Sequence, residues 1–132
     1  MAQEVKYITV NPGEMASDAA RAYAFRCFSG YGGLTVVAAT VSTGVAGTLD
    51  MVLQNYGSAG TVAGATIGHM SGGTATVWAA DTPQAMTLTA ANVFVDENEY
   101  VYLKKLEAGG SDDLSNDAAV CIAYVDGVVS QG

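Results

Sequence analysis

Short segments in which apolar and polar side chains alternate cover most of this chain. In residues 48–56, for example, Leu49, Met51 and Leu53 fall on one side of an extended chain. A two-residue period is that of a β-strand with one buried face, whereas a helix repeats every three to four residues. The same period, together with β-branched residues, predicts strands at residues 4–10, 21–28, 34–42, 48–56, 61–70, 74–79, 84–89, 100–107 and 118–125.

Glycine clusters mark the turns between these predicted strands. They lie at residues 29–33, 55–58, 71–73 and 108–111. Glycine suits such turns because it accepts positive φ angles without a steric cost. Two segments have weak helical character, residues 16–24 and residues 90–94. Neither is long enough for an α/β fold, so the sequence predicts an all-β protein, an antiparallel sandwich or barrel.

Alternation also predicts which side chains share a face. In residues 21–28 it places Tyr23, Phe25 and Cys27 on one face of the strand and turns Arg26 to the other. Trp78 lies in the middle of a predicted strand, where it fits a core position or a contact between subunits. Tyr31 and Tyr56 lie in predicted turns. They fit either exposed platforms for a glycan or rings that pack over the ends of a sheet.

The charge balance of the chain is acidic. Its 132 residues include 13 Asp and Glu but only 5 Lys and Arg, which gives a net charge of −8. A protein that binds nucleic acid or an anionic membrane needs a dense positive surface, so we expect neither as a partner. No apolar run approaches the roughly 20 residues of a membrane-spanning helix, and the opening residues lack the pattern of a secretory signal.

The first 20 residues differ in texture from the rest of the chain, because few large apolar residues follow Ile8. We therefore expect residues 1–20 to form a short irregular N-terminal arm and residues 21–132 to form one β-sandwich domain, a size that suits a single core. The alternation in residues 4–10 is equally compatible with a strand of the domain's own sheet. The sequence therefore allows both interpretations of residues 4–10, an arm and a strand of the domain's own sheet.

Residues that could carry catalysis are scarce. His69 is the only histidine, no nucleophile motif surrounds it, and an exposed or turn position explains it. Cys27 and Cys121 are 94 positions apart and belong to no metal-binding motif. Two buried free thiols are the simpler interpretation, and a disulfide between them is the alternative. The sequence predicts no enzyme and no cofactor.

Two acidic segments are the other candidates for a site. Residues 96–99 lie between two predicted strands, and residues 111–117 form a polar loop with Asp112, Asp113 and Asp117. Clustered oxygen ligands can hold calcium, but neither segment has the EF-hand pattern. Each segment is open to three interpretations, a solvated loop, a calcium site or a partner contact, and the sequence favours the first.

From Thr48 onward the chain resembles the jelly-roll decoration, or cement, proteins of tailed-bacteriophage capsids. The resemblance covers roughly the last 80 residues and rests on strand order and on Ala, Gly, Thr and Val richness. The segments that carry it are residues 48–61 (TLDMVLQNYGSAGT), 76–83 (TVWAADTP), 86–88 (MTL), 93–95 (VFV), 100–103 (YVYL) and 120–125 (VCIAYV). It implies a jelly-roll-like β-sandwich without catalytic residues.

The resemblance also implies a function. Such a chain would be a virion structural protein on the outer surface of a capsid, bound to major capsid subunits and to its own copies as a dimer or trimer. The low number of charges suits a subunit that buries surface against other copies. The alternative interpretation is a virion-associated module that binds glycans or belongs to the tail.

The N-terminal segment supplies the candidate partner-binding residues. If residues 4–10 form an arm, their backbone can add to an exposed sheet edge on a capsid protein or on a neighbouring copy. The side chains of Val5, Tyr7 and Ile8 would then fill pockets on that partner.

Overall fold

The computed structural model of the chain describes residues 4–12, 21–42, 47–61, 64–69, 76–78, 83–106 and 118–128. Within these residues the chain forms eleven strands and one short 3-10 helix at Ala90–Asn92. The strands are β1 (Lys6–Val10), β2 (Arg21–Arg26), β3 (Leu34–Ser42), β4 (Gly47–Asn55), β5 (Thr66–His69), β6 (Thr76–Trp78), β7 (Gln84–Ala85), β8 (Thr87–Leu88), β9 (Phe94–Val95), β10 (Tyr100–Leu106) and β11 (Ala119–Asp126).

The strands form two antiparallel sheets. The first sheet has the order β1-β11-β3-β7, with β9 also paired to β3. The second sheet has the order β2-β10-β4-β5-β8, with β6 also paired to β4. The chain changes sheet after each of its first three strands, and its last two strands insert between earlier ones, β10 between β2 and β4 and β11 between β1 and β3. This is jelly-roll connectivity, so the predicted all-β sandwich is confirmed.

The core lies between the two sheets and follows the predicted alternation. On β10, Val101 and Leu103 are fully buried, and on β11, Val120 and Ile122 are fully buried, while Cys121 between them is exposed. Each large apolar side chain removed from water in this way contributes about 1.5–3 kcal/mol. The central strands β10 and β11 therefore hold the sandwich together.

The two segments with weak helical character have different outcomes. Residues 90–94 contain the 3-10 helix Ala90–Asn92, which connects β8 to β9. The segment 16–24 has no helix in its described part, because residues 21–24 belong to β2. Their pairing with β10 satisfies backbone hydrogen bonds in a sheet, whereas a short isolated helix is only marginally stable in water. Residues 13–20 lie outside the described ranges.

The prediction that Tyr23 shares a face with Phe25 and Cys27 is wrong. Phe25 pairs with Val101, but Tyr23 pairs with Tyr102, so the register shifts by one residue at Ala24. A β-bulge of this kind resets the alternation. Phe25 and Cys27 are buried as predicted, whereas 54% of the Tyr23 surface is exposed on the outer face.

β1 belongs to the first sheet along its whole length. Its five residues pair with β11, from Lys6 opposite Tyr124 to Val10 opposite Val120. Of the two alternatives for residues 4–10, a strand of the domain's own sheet therefore holds for Lys6–Val10. β1 is the terminal strand of this sheet, as β2 is of the second. Among the described residues, no helix is long and apolar enough to cross a membrane.

Candidate interaction surfaces

The candidate partner-binding residues on β1 divide between its two faces. Tyr7 is 68% exposed and Val5, just before the strand, is 44% exposed. Ile8 lies on the inner face and packs against the core of the same chain. Val5 and Tyr7 are thus the exposed members of the predicted set, and we call them the Tyr7 surface.

A second exposed surface crosses the outer face of the second sheet. Its members are aromatic and arginine side chains from β2, from β10 and from the segments that follow β2 and β4. We call this the Arg–Tyr strip, and it consists of Arg21, Tyr23, Arg26, Phe28, Tyr100 and Tyr102, which are exposed or partly exposed, and of the buried ring of Tyr56 beneath them. It exists because the bulge at Ala24 turns Tyr23 outward, directly opposite Tyr102.

The tyrosine rings of the strip contact one another edge to face. The centroid of Tyr23 lies 5.8 Å from that of Tyr102 and 6.3 Å from that of Tyr100. Tyr56 and Tyr102 are closer, at 4.9 Å. Such pairs contribute about 0.5–1.5 kcal/mol beyond the area they bury, so the rings stabilise one another as a connected cluster.

The two arginines lie over these rings. The guanidinium carbon of Arg21 is 4.5 Å from the centroid of Tyr102 and 4.8 Å from that of Tyr56. The guanidinium carbon of Arg26 is 4.8 Å from the Tyr100 centroid and 4.9 Å from the Phe28 centroid. These are cation–π distances.

Backbone carbonyls fix each guanidinium further. Nη1 of Arg21 donates to the carbonyl of Gly60 at 3.3 Å, and Nε of Arg26 donates to the carbonyl of Asn98 at 3.3 Å. Both groups are therefore oriented before any partner arrives, and each keeps further N–H donors.

The strip is suited to a protein partner more than to a sugar ring. A glycan stacks on an open aromatic face, but the arginines cover faces of Tyr56, Tyr100 and Tyr102. Oriented guanidinium groups with remaining donors bind planar acceptors such as carboxylates. Tyrosine and arginine are also the residues that most often dominate the energetics of protein interfaces.

The acidic turn at residues 96–99 has a structural role that the sequence did not predict. One carboxylate oxygen of Glu97 accepts hydrogen bonds from the Ser29 hydroxyl, from the Gly30 amide at 2.7 Å and from the Gly33 amide at 3.2 Å. Convergent amides of this kind form an anion-binding nest. The side chain of Glu97 fills the nest and holds the loop between β2 and β3.

This loop requires glycine at its end. Gly33 has a φ of +136°, and a Cβ there would lie 2.5 Å from Cζ of Phe94 and 2.6 Å from the carbonyl oxygen of Val95. Only a residue without a side chain fits this approach.

The second carboxylate of the turn is also engaged. Oε1 of Glu99 accepts from Nδ2 of Asn55 at 2.9 Å and from the amide of Asp96 at 2.8 Å. The turn therefore ties β9 and β10 to the end of β4. Among the described residues, no group of His, Cys, Asp or Glu is arranged to hold a metal ion.

Stability near pH 4 provides a test of the Glu97 nest. The hydrogen bond from the Ser29 hydroxyl has the largest effect and lowers the pKa of Glu97 below its ordinary value of about 4.5. Desolvation, the next largest effect, raises this pKa, and the amides of Gly30, Tyr31 and Gly33 lower it further. Because the folded-state pKa is depressed, this carboxylate stabilises the fold above pH 4.5 and loses that effect as the pH falls through the folded pKa.

We expect Glu97→Gln to melt at a lower temperature than the parent protein at pH 7, with a difference that shrinks below pH 4.5. Differential scanning calorimetry across pH measures this difference. Asp96→Asn is the matched control, because it removes a charge from an exposed neighbour in the same turn. Equal behaviour of the two variants at every pH would contradict the nest.

A cleft of about 220 Å³ opens between the edge strands β1 and β2. Ile8, Phe25 and Leu34 contribute its apolar lining. Nζ of Lys6 and a carboxylate oxygen of Asp126 form an ion pair at 2.5 Å on one wall. Phe28, which is 69% exposed, also lines the cleft and is a member of the Arg–Tyr strip. The cleft therefore adjoins the strip at the edge of the sandwich.

The two cysteines are free, so the disulfide alternative is wrong. Cys27 is buried, and its Sγ lies 3.6 Å from the carbonyl oxygen of Val95. Burial raises the pKa of this thiol, which makes it less reactive. Cys121 is exposed on the outer face of the first sheet rather than buried, because the alternation of β11 points it away from the core.

The remaining sequence candidates are distributed over the fold. Tyr31 is exposed, whereas Tyr56 is buried at the end of β4 beneath Arg21. His69 ends β5 and pairs with Val52 and Thr87 in the second sheet. Trp78 ends β6, and its side chain lies outside the described part, as does the acidic loop 111–117.

Sequence reasoning missed the Arg–Tyr strip. Its arginines and tyrosines come from segments about 80 positions apart, and their meeting depends on the pairing of β2 with β10. One usable pattern was present, the alternation of Tyr100, Tyr102 and Lys104 along a strand. This alternation predicts that the strand has an aromatic outer face, but it does not predict which residues of the neighbouring strand lie beside that face.

Comparison with known proteins gives limited similarity. No protein-family model matches the chain, and no curated protein matches it. Among solved structures, 98% of the chain aligns with 39% of a chain in the structure of infectious bursal disease virus, Gx strain, at 10% identity and a TM-score of 0.38. The Gt strain gives 16% identity, a TM-score of 0.37 and coverage of 98% and 38%.

The chain thus spans less than half of the viral chains to which it is similar. Both TM-scores are below 0.5, and the similarity carries no argument about function.

Proposed function

We propose that this chain is a virion structural protein without catalytic activity, which decorates the outer surface of a capsid and binds both major capsid subunits and its own copies. The observation that carries the proposal is the presence of two exposed surfaces on opposite sheets of one jelly roll, one made by Val5 and Tyr7 and the other by the Arg–Tyr strip. The Tyr7 surface belongs to the first sheet and the Arg–Tyr strip to the second. A decorating protein needs two such surfaces, one for the shell and one for its neighbours.

The composition of these surfaces supports protein partners. Exposed aromatic groups beside arginine are typical of interfaces in which a few residues supply most of the binding energy. The acidic remainder of the chain, with a net charge of −8, would help to keep a coated particle soluble. The resemblance of residues 48–125 to capsid decoration proteins adds to this argument.

A virion-associated module that binds glycans or belongs to the tail is the second candidate, because a jelly roll hosts many functions. One exposed ring outside the strip favours it, Tyr31 at 71%. The covered ring faces of the Arg–Tyr strip argue against it, so we place decoration first.

Copy number in purified particles distinguishes the two candidates. We expect quantitative mass spectrometry to find this chain in a constant ratio to the major capsid protein, in hundreds of copies, because a shell protein repeats with the lattice. A few copies per particle would favour the tail-associated module. Absence from particles would contradict both, and retention of the chain on a glycan array would support the binding module.

A further inference from the structure

The terminal strands of the two sheets differ in how their free edges are protected. A free edge presents unpaired backbone N–H and C=O groups, and folded proteins commonly protect it with a very short strand, a bulge or charged side chains. Within the described residues, β7 and β8 are terminal strands of two residues each. β2 is longer, but it has an arginine at each end, Arg21 and Arg26, and a bulge at Ala24.

The edge of β1 has none of these protections. Its five residues pair with β11 in an unbroken register, and β11 is its one neighbour in the described part of the sheet. Its one charged residue, Lys6, forms an ion pair with Asp126 of the same sheet. Every second residue of a terminal strand turns its N–H and C=O away from its neighbour. β1 therefore offers a regular row of donors and acceptors to a further strand.

The core beside this edge is incompletely covered. The cleft of about 220 Å³ opens between β1 and β2, and Ile8, Phe25 and Leu34 form its apolar lining. A strand added to β1 would extend the first sheet beside this opening and place its inward side chains next to Ile8. The free edge and the apolar cleft are independent features, and one added strand satisfies both.

We infer that β1 of one copy pairs antiparallel with β1 of a second copy, about a two-fold axis at Ile8, so that the two first sheets become one continuous sheet. This inference rests on the self-association in the proposed function and names its contact. Pairing centred on Ile8 places Tyr7 opposite Thr9 of the second copy, on the outer face, and Lys6 opposite Val10 of the second copy, on the inner face. Each side chain thus meets one from its own face, and no like charges lie opposite one another.

The same pairing is unfavourable at β2, the other long terminal strand. Antiparallel pairing of β2 with itself along its whole length would place Arg21 opposite Arg26 of the second copy, and like charges directly opposite one another destabilise a sheet. A contact through β1 uses the same surface on both copies and closes as a dimer. Of the two expected assemblies, dimer and trimer, the inference therefore selects the dimer. The two Tyr7 side chains then lie at diagonal positions on one outer face, so the dimer joins two Tyr7 surfaces.

Paired charges on the outer face test this register. The double variant Tyr7→Lys/Thr9→Lys would place two pairs of lysines directly opposite one another, whereas Tyr7→Lys/Thr9→Glu would place opposite charges there. We expect the second variant to dimerise about tenfold more tightly than the first, because both cross-strand pairs change from repulsive to attractive. Sedimentation velocity over a concentration series at low salt measures the difference. Both variants should keep the fold, because Tyr7 and Thr9 are exposed.

Net charge alone predicts the opposite order. The Tyr7→Lys/Thr9→Lys change adds two positive charges to a protein with a net charge of −8, which by itself eases repulsion between copies. Val37→Lys is the matched control, because Val37 is exposed on β3, which β11 separates from β1. We expect it to dimerise like the parent protein. Equal dimerisation by the two double variants would overturn the inference, as would a parent protein that stays monomeric at every concentration.

Disulfide crosslinking gives an independent readout of the same geometry. One protein carries Tyr7→Cys and another carries Thr9→Cys, both in a Cys121→Ser background with Cys27 left buried. Directly opposite residues of an antiparallel pair have Cα atoms about 4.5–5.5 Å apart, which suits a disulfide. We therefore expect the mixture of the two proteins to crosslink faster under mild oxidation than either protein alone.

A mixture that crosslinks no faster than the separate proteins would overturn the inference. High copy number in particles would still support the proposed function after such a failure, so the two are separable.

Discussion

Leu103→Ala is expected to lower the free energy of unfolding by about 2–5 kcal/mol, the range for a buried leucine whose cavity collapses only in part. Leu103 is fully buried in β10, between Ala22 of β2 and Leu53 of β4. A single domain has only about 5–15 kcal/mol of stability. Loss of this one side chain therefore removes a large part of what keeps the two sheets together.

Urea denaturation followed by tryptophan fluorescence or circular dichroism measures this loss. Val37→Ala is the matched control, because Val37 lies on β3 but is 39% exposed, and a change there is expected to stay within about 0.5 kcal/mol. A Leu103→Ala protein as stable as the control would mean that the core is not organised around β10.

Strands were predictable because their evidence is local. In residues 100–106, Val101 and Leu103 alternate with Tyr100, Tyr102 and Lys104, and the structure buries the first pair and leaves the others partly exposed. Inward and outward positions follow from the two-residue period alone. The sandwich class follows in turn, since many such strands need a second sheet to cover their apolar faces.

The face of Tyr23 was not predictable from β2 alone. Phe25 and Tyr23 are two positions apart, a spacing that predicts the same face of the strand. The bulge at Ala24 places them on different faces. The bulge is a property of the pairing with β10, whose residues lie far away in the chain. The alternation within one strand does not show how that strand is aligned with its neighbour. The Arg–Tyr strip could therefore be identified only from the structure.

The role of Glu97 was hidden for the same reason. Its carboxylate meets a nest of amides at Gly30 and Gly33, more than sixty positions away. From the sequence, four polar residues in a turn indicate a solvated loop or a cation site. The fold brings two loops that are distant in sequence together at one end of the sandwich. The Glu97 carboxylate there accepts hydrogen bonds from amides of the same chain.

β1 shows a different limit. Alternation in residues 4–10 is required both of an arm that adds to a foreign sheet and of a terminal strand in the domain's own sheet. Pairing with β11 decides the matter for Lys6–Val10, and it packs the partly buried Ile8 against the core while leaving Tyr7 exposed. Fewer of the three candidate partner-binding residues are therefore exposed than the sequence indicated.

Tyr7→Ser is expected to weaken binding to undecorated capsids at least about tenfold, because a hot-spot tyrosine at the centre of an interface commonly contributes about 2 kcal/mol or more. The melting temperature should change little, since Tyr7 is 68% exposed. Tyr31→Ser is the matched control, because Tyr31 is an equally exposed ring in the loop between β2 and β3. We expect this control to bind like the parent protein.

The proposed role is tested most directly by adding the purified chain to capsids that lack a decoration protein and measuring the bound protein after sedimentation. The account predicts saturable binding in a fixed ratio to the capsid subunits, lost with Tyr7→Ser and kept with Tyr31→Ser. Absence of sedimented protein at saturating concentration, or equal binding by all three proteins, would contradict it.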